Sequence, residues 1–212
     1  MTDTVPAASE SEFWEAFYQE KEQVWSGKPN PLLVREVESL SAGRALDLGC
    51  AEGADAIWLA QRGWQVTAVD ISETALKRAV VRAADAGVPG ITWERWDLSQ
   101  SFPEGLFDLV SAQFFHSPVG LDQNRVKTLR RAAEAVAPGG VLLIVGHAGF
   151  PAWVENPPPV RLPSTAELME SLGFDPNSWK VELEDVVGHD MPGPDGQPGT
   201  REDNVLRMRR LR

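Results

Sequence analysis

Ala45-Leu-Asp-Leu-Gly-Cys-Ala-Glu-Gly53 decides the fold of this chain, because it combines a strand, a glycine turn and the start of a helix. Gly49 has no β-carbon, so a ligand can approach the backbone there. A dinucleotide fold would place Gly-x-Gly-x-x-Gly at this turn, where a pyrophosphate sits on the helix N-terminus. Here the two glycines have a different spacing, and Asp47 and Glu52 would repel a pyrophosphate. The turn therefore favours a ligand that carries a positive charge beside an adenosine.

Outward from this turn, apolar runs of strand length alternate with amphipathic segments of helix length between residues 43 and 147. This alternation is typical of a parallel sheet wound by helices. Ser72 suits a helix N-cap and Gly87 a helix stop. The sequence therefore predicts an α/β fold with a doubly wound, mostly parallel sheet. Strands are predicted at 44–48, 65–70, 91–95, 107–112 and 141–145, helices at 53–61, 72–86 and 125–136, and a turn at 137–140.

The flanking regions predict a cap and additional elements. Residues 1–40 predict two helices, and we expect them to form an N-terminal helical cap on a single globular domain of residues 41–212. Segment 188–200 is too rich in glycine and proline to form a strand or a helix. The other predicted elements are helices at 10–22, 32–40 and 165–172, strands at 179–187 and 204–210, and a loop at 149–163 with prolines at 151, 157, 158, 159 and 163.

The composition excludes several classes of protein. The chain has 212 residues, of which 42% are hydrophobic and 24% charged, as in one ordinary soluble domain. Its 20 basic and 31 acidic residues give a net charge of −11, which disfavours nucleic acid as a partner. No apolar stretch reaches the roughly 18 residues of a membrane span, and the acidic, polar N-terminus differs from a signal peptide. We therefore expect a cytoplasmic monomer or homodimer with no membrane partner.

Acidic residues lie at the ends of three successive predicted strands. Asp70 follows Asp47 by 23 residues and could accept both hydrogen bonds of a ribose diol; the alternative is a structural role before the helix at Ser72. Asp97 could accept a hydrogen bond from an adenine amino group while Leu98 covers the ring, and its alternative is a solvated turn. Ligands of open α/β sheets bind at the carboxyl ends of the strands. The three acids therefore predict one ligand site.

These motifs, in this order and spacing, resemble those of the class I S-adenosylmethionine-dependent methyltransferases. The matching segments are 47–53 (Asp-Leu-Gly-Cys-Ala-Glu-Gly), 69–72 (Val-Asp-Ile-Ser), 96–98 (Trp-Asp-Leu), 107–111 (Phe-Asp-Leu-Val-Ser) and 137–140 (Ala-Pro-Gly-Gly). The resemblance implies a Rossmann-like sheet of seven strands whose last strand is antiparallel. It also implies methyl transfer from S-adenosylmethionine to a small-molecule acceptor.

The resemblance assigns a set of cofactor-binding residues, in which Gly49 and segment 111–113 would contact the methionine part. Ala51 departs from the glycine that the family usually has, and its methyl group should keep the turn at negative φ. The loop at 25–30 (Trp-Ser-Gly-Lys-Pro-Asn) is similar to the bacterial branch of tellurite-resistance and thiopurine methyltransferases. The implied cofactor residues are Asp47, Gly49, Cys50, Ala51, Gly53, Asp70, Ile71, Asp97, Leu98, Ser111 and Gln113.

The acceptor side offers three histidines. His116 follows the fourth predicted strand and is our candidate general base, with loop packing as its alternative. His147 is a second candidate, and His189 lies in the glycine- and proline-rich segment, where a solvated loop residue is expected. Cys50 is expected to be a buried apolar filler, and no metal site is predicted.

Two observations favour an acceptor that is already nucleophilic, such as a thiol or a chalcogen oxyanion. The similarity to the tellurite-resistance and thiopurine branch points to such acceptors, and the sequence shows no second acid or base beside His116. A protein methyltransferase and an O- or N-methyltransferase of small molecules remain alternatives. A non-catalytic binder of S-adenosylmethionine and a nicotinamide dehydrogenase are rivals from other classes.

Overall fold

The computed structural model describes residues 9–119, 122–157 and 161–212. In these ranges the chain forms six helices and seven strands. They are α1 (Glu10–Gln19), α2 (Pro31–Val37), β1 (Arg44–Leu48), α3 (Ala54–Gln61), β2 (Gln65–Asp70), α4 (Glu73–Asp85), β3 (Thr92–Arg95), β4 (Phe107–Gln113), α5 (Asp122–Glu134), β5 (Val136–His147), α6 (Thr165–Leu172), β6 (Trp179–Asp190) and β7 (Thr200–Arg210).

All seven strands form one sheet in the order β3-β2-β1-β4-β5-β7-β6. The pairs from β3 to β5 are parallel, and β7 runs antiparallel to both β5 and β6. This arrangement confirms the predicted doubly wound, mostly parallel sheet with an antiparallel last strand. The strand order reverses between β1 and β4, and such a switch point opens a crevice at the carboxyl ends of the strands.

Both faces of the sheet are covered, which explains the long apolar runs in its central strands. One face packs against α5 and α6 through Leu129 and Leu168. The opposite face packs against α2 and α3 through Leu33 and Leu59. Ser72 caps α4 as predicted, since its side chain accepts a hydrogen bond from the backbone N–H of Ala75.

Several predicted boundaries were wrong. Helix α5 ends at Glu134, because Val136 pairs with Phe107 at the start of β5, so residues 137–140 lie within the β5 segment. The helices predicted at 10–22 and 32–40 end at Gln19 and Val37. The division at residue 41 stays a prediction.

The prediction for segment 188–200 was also wrong, because its two ends extend β6 and β7. His189 pairs with Arg201 across these strands, and β7 begins at Thr200. Antiparallel pairing gives the backbone N–H and C=O groups of these residues hydrogen-bond partners, and composition alone does not reveal that pairing.

The predicted proline loop includes residues 158–160, which lie outside the described residues. Among the described helices, none is long and apolar enough to span a membrane.

Candidate active site

One cavity of about 860 Å³ opens at the carboxyl ends of the central strands. Every site residue predicted from the sequence lines this cavity except Ser111. Ser111 is fully buried, and its hydroxyl accepts a hydrogen bond from Gln113 Nε2 at 3.0 Å. Gln113 does line the cavity, and its Oε1 accepts a hydrogen bond from Asn30 Nδ2 at 2.8 Å. The structure therefore gathers the strand-end residues of the sequence prediction around one space.

The glycine turn after β1 is held against β2. The backbone N–H groups of Gly49 and Cys50 both donate to the carbonyl of Val69, each at 2.9 Å. Gly49 has φ +69, and a β-carbon there would lie 3.0 Å from the Phe115 ring. Ala51 has φ 50, so the expectation of negative φ at this position was wrong. A hydrogen bond from the Ala51 N–H to Asp70 Oδ2, at 2.9 Å, holds this unfavourable conformation.

Asp70 joins the end of β2 to the turn. Its Oδ1 accepts a hydrogen bond from the Ser72 N–H at 2.9 Å, and its Oδ2 accepts the one from Ala51. Burial raises the pKa of this carboxyl, and the two backbone hydrogen bonds oppose that effect. Each carboxylate oxygen keeps a further lone pair that a ligand hydroxyl could use. The structural role and the proposed ligand role are therefore compatible.

Asp97 lies on the same cavity beyond β3. Its Oδ1 accepts hydrogen bonds from the Ser99 N–H at 3.0 Å and the Ser99 hydroxyl at 2.6 Å, which orders the turn. Leu98 is 7% exposed and lies next to it on the cavity wall, as does Trp96. Apolar side chains and one carboxylate thus come together at the predicted adenine position.

Buried carboxyl groups concentrate at the floor of the cavity. Asp47 is 2% exposed, and its Oδ2 has no hydrogen-bond partner among the described residues. Burial, with the nearby charges of Asp55 and Asp70, raises its pKa well above the ordinary value. Burial also raises the pKa of Asp55 to about 6, although the carboxyl accepts a hydrogen bond from the Asn30 N–H. A cationic ligand would favour the ionised form of these carboxyl groups and compensate their charge.

Glu52 does not leave an uncompensated negative charge at the turn, which was its expected role from the sequence. It is 1% exposed and forms ion pairs with Arg78 at 3.0 Å and Arg82 at 3.1 Å, so its charge is compensated. It also accepts hydrogen bonds from the backbone N–H groups of Val24 and Trp25. Glu52 therefore ties the N-terminal region to the glycine turn. Asp47, Asp55 and Asp70, at the same end of the cavity, form no ion pair with a basic side chain among the described residues.

Cys50 and Ile71 complete the walls beside the turn. Cys50 is buried, and its burial together with the charge of Asp70 raises the pKa of the thiol well above the ordinary value. A thiolate is the nucleophilic form of cysteine, so Cys50 is unsuited to nucleophilic chemistry near neutral pH.

At the other end of the cavity a carboxylate joins two histidines. Asp203 Oδ1 lies 2.9 Å from His147 Nδ1, and Asp203 Oδ2 lies 2.6 Å from His189 Nε2. Arg201 Nη2 donates to the same Oδ2 at 3.0 Å. The expectation that His189 is a solvated loop residue was therefore wrong.

His116 lies beside this cluster, with its ring centroid 5.0 Å from that of His147. Burial, aided by the neighbouring His147 and Arg125, lowers the pKa of His116 to about 4. The inference that no second acid or base accompanies His116 was thus wrong. Its partner is His147, which Asp203 fixes in place.

Strand register builds this cluster from distant parts of the chain. His147 is the last residue of β5 and is paired with Asp203 of β7, while His189 of β6 is paired with Arg201. Sequence reasoning missed Asp203 and Arg201, because their role depends on where β7 pairs with its neighbours. In the part of the chain that the structure describes, no group of three or more His, Cys, Asp or Glu side chains is arranged to hold a metal ion.

Comparison with known proteins identifies the family. A model described as "Methyltransferase domain" matches residues 45–140. The 2-heptyl-1-hydroxyquinolin-4(1H)-one methyltransferase of Mycobacteroides abscessus is 34% identical over 152 residues, which cover 68% of this chain and 66% of that protein. Thiocyanate methyltransferase 1 of Arabidopsis thaliana is 29% identical over 170 residues, covering 76% and 72%. The match to ribosomal RNA small subunit methyltransferase C of Chromohalobacter salexigens, at 34% identity, spans only 34% of that relative.

Solved structures agree with this result. A structure from work on the conversion of a disulfide bond into a thioacetal group during echinomycin biosynthesis has a TM-score of 0.71 and 26% identity, covering 94% of this chain and 92% of that one. The N-methyltransferase NodS of Bradyrhizobium japonicum, in complex with S-adenosyl-L-homocysteine, shares the fold with a TM-score of 0.70 at 20% identity, covering 96% and 100%. The chain belongs to the class I S-adenosylmethionine-dependent methyltransferases.

Proposed function

We propose that this protein transfers the methyl group of S-adenosylmethionine to a small-molecule acceptor. The observation that carries the proposal is a single cavity with two chemically different ends. Three strand-end acids, Asp47, Asp70 and Asp97, lie at one end, and an imidazole–carboxylate cluster lies at the other. A volume of about 860 Å³ is within the usual range for small-molecule sites.

The residues of the first end fit the cofactor. Gly49 places backbone without a β-carbon on the cavity wall, and the unpartnered Oδ2 of Asp47 offers an acceptor for a cationic group. Asp70 would bind the ribose hydroxyls and Asp97 the adenine amino group. When bound, S-adenosylmethionine supplies an electrophilic methyl group on a sulfonium. The chain positions the acceptor, excludes water and compensates charge.

The buried acids predict how cofactor affinity depends on pH. With a pKa of about 6, Asp55 is ionised at pH 7.5 and protonated at pH 5, so the cavity loses negative charge as the pH falls. We expect S-adenosylmethionine to bind roughly tenfold more weakly at pH 5 than at pH 7.5. Calorimetric titration at both pH values measures this change. Asp55→Asn should show a smaller pH dependence, and equal affinity of the wild type at both pH values would contradict the charge assignment.

Two acceptor classes have specific support. The 1-hydroxyquinolone in the name of the Mycobacteroides relative is a hydroxyl compound, and the imidazole–carboxylate cluster favours an acceptor that must lose a proton. The sequence favoured a thiol or chalcogen oxyanion, which agrees with the name of Thiocyanate methyltransferase 1 and with a probable thiol methyltransferase of Arabidopsis thaliana at 31% identity. The histidine and carboxylate beside His116 remove one of the two reasons for that preference, and on this ground we propose the hydroxyl acceptor as the stronger candidate.

The test is an acceptor screen with the purified protein, S-adenosylmethionine and a panel of phenols, N-hydroxy heterocycles, thiols, selenite, tellurite and amines. Release of S-adenosyl-L-homocysteine, measured by mass spectrometry, supports the proposal. Binding of S-adenosylmethionine without turnover on any acceptor would instead favour a non-catalytic regulator. Tighter binding of NADH than of S-adenosylmethionine would indicate a dehydrogenase.

Replacement of His116 tests whether this residue, the candidate from the sequence, is the general base. With a pKa of about 4, its imidazole stays neutral between pH 6 and pH 9, so it cannot produce a titration in that range. We expect His116→Ala to lower kcat/KM by about tenfold or less, through lost packing, and to leave the shape of the pH profile unchanged. Steady-state kinetics on the best acceptor checks this. Loss of a titration near neutral pH in the variant would restore His116 as the base.

A further inference from the structure

The imidazole of His147 is held by a buried carboxylate at the acceptor end of the cavity. We propose that His147 is the general base of this enzyme, positioned by Asp203, and that its acceptor is a weakly acidic hydroxyl on an aromatic or heteroaromatic ring. This inference rests on the proposed methyl transfer and deepens it by naming the acceptor class and the group that takes its proton.

The hydrogen bond between His147 and Asp203 determines which imidazole nitrogen can act as a base. His147 Nδ1 lies 2.9 Å from Asp203 Oδ1, and a carboxylate accepts hydrogen bonds, so Nδ1 carries the proton. This assigns the lone pair to Nε2, on a side chain that lines the cavity and is 23% exposed. A carboxylate that fixes the tautomer and stabilises the imidazolium is a recurrent arrangement in general-base catalysis.

Packing on both sides restricts the ring of His147. The Phe114 ring lies 4.5 Å from it between centroids, and the His116 ring lies 5.0 Å away in an edge-on arrangement. The backbone N–H of Phe114 donates to the carbonyl of Val145 at 2.8 Å, which fixes the end of β4 beside the end of β5. The base is therefore held by two elements of the central sheet and needs little reorganisation during reaction.

The charged groups around His147 suit this role. Asp203 and Arg201 lie on β7, His189 on β6, Arg125 on α5, and His116 follows β4. Burial alone would raise the pKa of Asp203, but the hydrogen bond from His147 and the charge of Arg201 lower it, so the carboxylate stays ionised. The guanidinium groups of Arg201 and Arg125 also favour a developing oxyanion in the same cavity.

The proposed step conserves atoms and charge. The acceptor O–H proton passes to His147 Nε2, the acceptor oxygen forms a bond to the methyl carbon, and the carbon–sulfur bond breaks with its electron pair left on sulfur. The products are a methyl ether, the thioether S-adenosyl-L-homocysteine and an imidazolium that Asp203 stabilises. The imidazolium then returns its proton to solvent.

The remaining walls of this end indicate a flat, apolar acceptor body. Phe114 lines the cavity beside His147, and Leu162, Leu168 and Leu206 also line the cavity. Such walls bind apolar rings, while a hydroxyl group can point to the imidazole. An aliphatic alcohol is much less acidic than a phenol, so a neutral imidazole is better matched to a ring hydroxyl.

The test uses phenols of graded acidity, from nitrophenols that are ionised at the assay pH to alkyl phenols that are not. We expect His147→Gln to lower kcat/KM by about 10²- to 10⁴-fold on the alkyl phenols and by less than about tenfold on the ionised nitrophenols. His189→Gln is the matched control, because it also removes an imidazole bound to Asp203 and should show no such dependence on acceptor acidity. Asp203→Asn should resemble His147→Gln and shift the pH profile to lower pH, because the imidazolium loses the carboxylate that stabilises it.

A second readout does not depend on turnover. In the complex with S-adenosyl-L-homocysteine, a nitrophenol near its own pKa should bind as the coloured phenolate to the wild type and as the neutral phenol to His147→Gln. Circular dichroism and cofactor binding by calorimetry establish that each variant is folded and loaded.

The outcomes separate this inference from the proposed function. A loss that is equal across the phenol series, or equally large in His189→Gln, would overturn the role of His147 while leaving methyl transfer intact. Turnover by the wild type with thiols alone would overturn the acceptor class. Failure of the wild type to bind S-adenosylmethionine would overturn the proposed function itself.

Discussion

Replacing Gly49 with valine is expected to weaken S-adenosylmethionine binding by about 100-fold or more, roughly 3 kcal/mol. Gly49 has φ +69, and its missing β-carbon would lie 3.0 Å from the Phe115 ring on the cavity wall. The branched side chain of valine would fill space that the cofactor needs. A valine in the left-handed backbone conformation would also lower the free energy of unfolding by about 1–2 kcal/mol. Calorimetric titration of the variant measures the affinity, and thermal unfolding measures the stability.

Gly87→Val is the matched control for this prediction. Gly87 has a similar φ of +65, at the end of α4, and a β-carbon there would meet nothing within 4 Å. The control should lose stability as Gly49→Val does and bind S-adenosylmethionine with wild-type affinity. Equal binding by both variants would show that the glycine turn is not the cofactor site.

Asp70→Ala is expected to have the second large effect. Each hydrogen bond from a ribose hydroxyl to this carboxylate is worth about 1.5–3 kcal/mol at most, so affinity for S-adenosylmethionine should fall at least about tenfold. The structure adds a cost in stability, because the backbone N–H groups of Ala51 and Ser72 lose their acceptor. We expect a loss of roughly 1–3 kcal/mol in the free energy of unfolding.

Asp108→Ala separates these two effects. Asp108 Oδ2 accepts a hydrogen bond from the Arg44 N–H at 2.7 Å, at the start of β1 and far along the strand from the cavity. Its loss should lower stability and leave cofactor affinity unchanged. If Asp70→Ala also retained wild-type affinity in calorimetry, the ribose assignment would be wrong.

The cofactor half of the molecule could be predicted from the sequence because its signals are local. The strand at residues 65–70 and the helix at 165–172 were predicted with the observed bounds, since apolar periodicity and capping residues lie within each segment. Parallel strands also end at the same edge of the sheet. Acids at or just beyond the ends of successive strands, such as Asp70 and Asp97, are therefore brought to one cavity without further information.

The acceptor half could not be predicted in the same way. Asp203 lies 56 residues after His147, and the contact depends on the pairing of β7 with β5 and β6. Glycine and proline between 188 and 200 concealed the ends of two strands, because pairing with a neighbour overrides local composition. The positive φ of Ala51 also depends on a long-range contact, its hydrogen bond to Asp70.

The place of β7 in the sheet has a consequence for biosynthesis. This strand lies between β5 and β6 but is the last of the seven to be translated. A nascent chain that has emerged through β5 already contains Asp47, Asp70 and Asp97, whereas Asp203 is still 56 residues away from His147. At about 5–20 residues per second, that separation corresponds to roughly 3–11 seconds of elongation. The residues of the cofactor end are therefore synthesised first, and the carboxylate that orients His147 is synthesised only with β7.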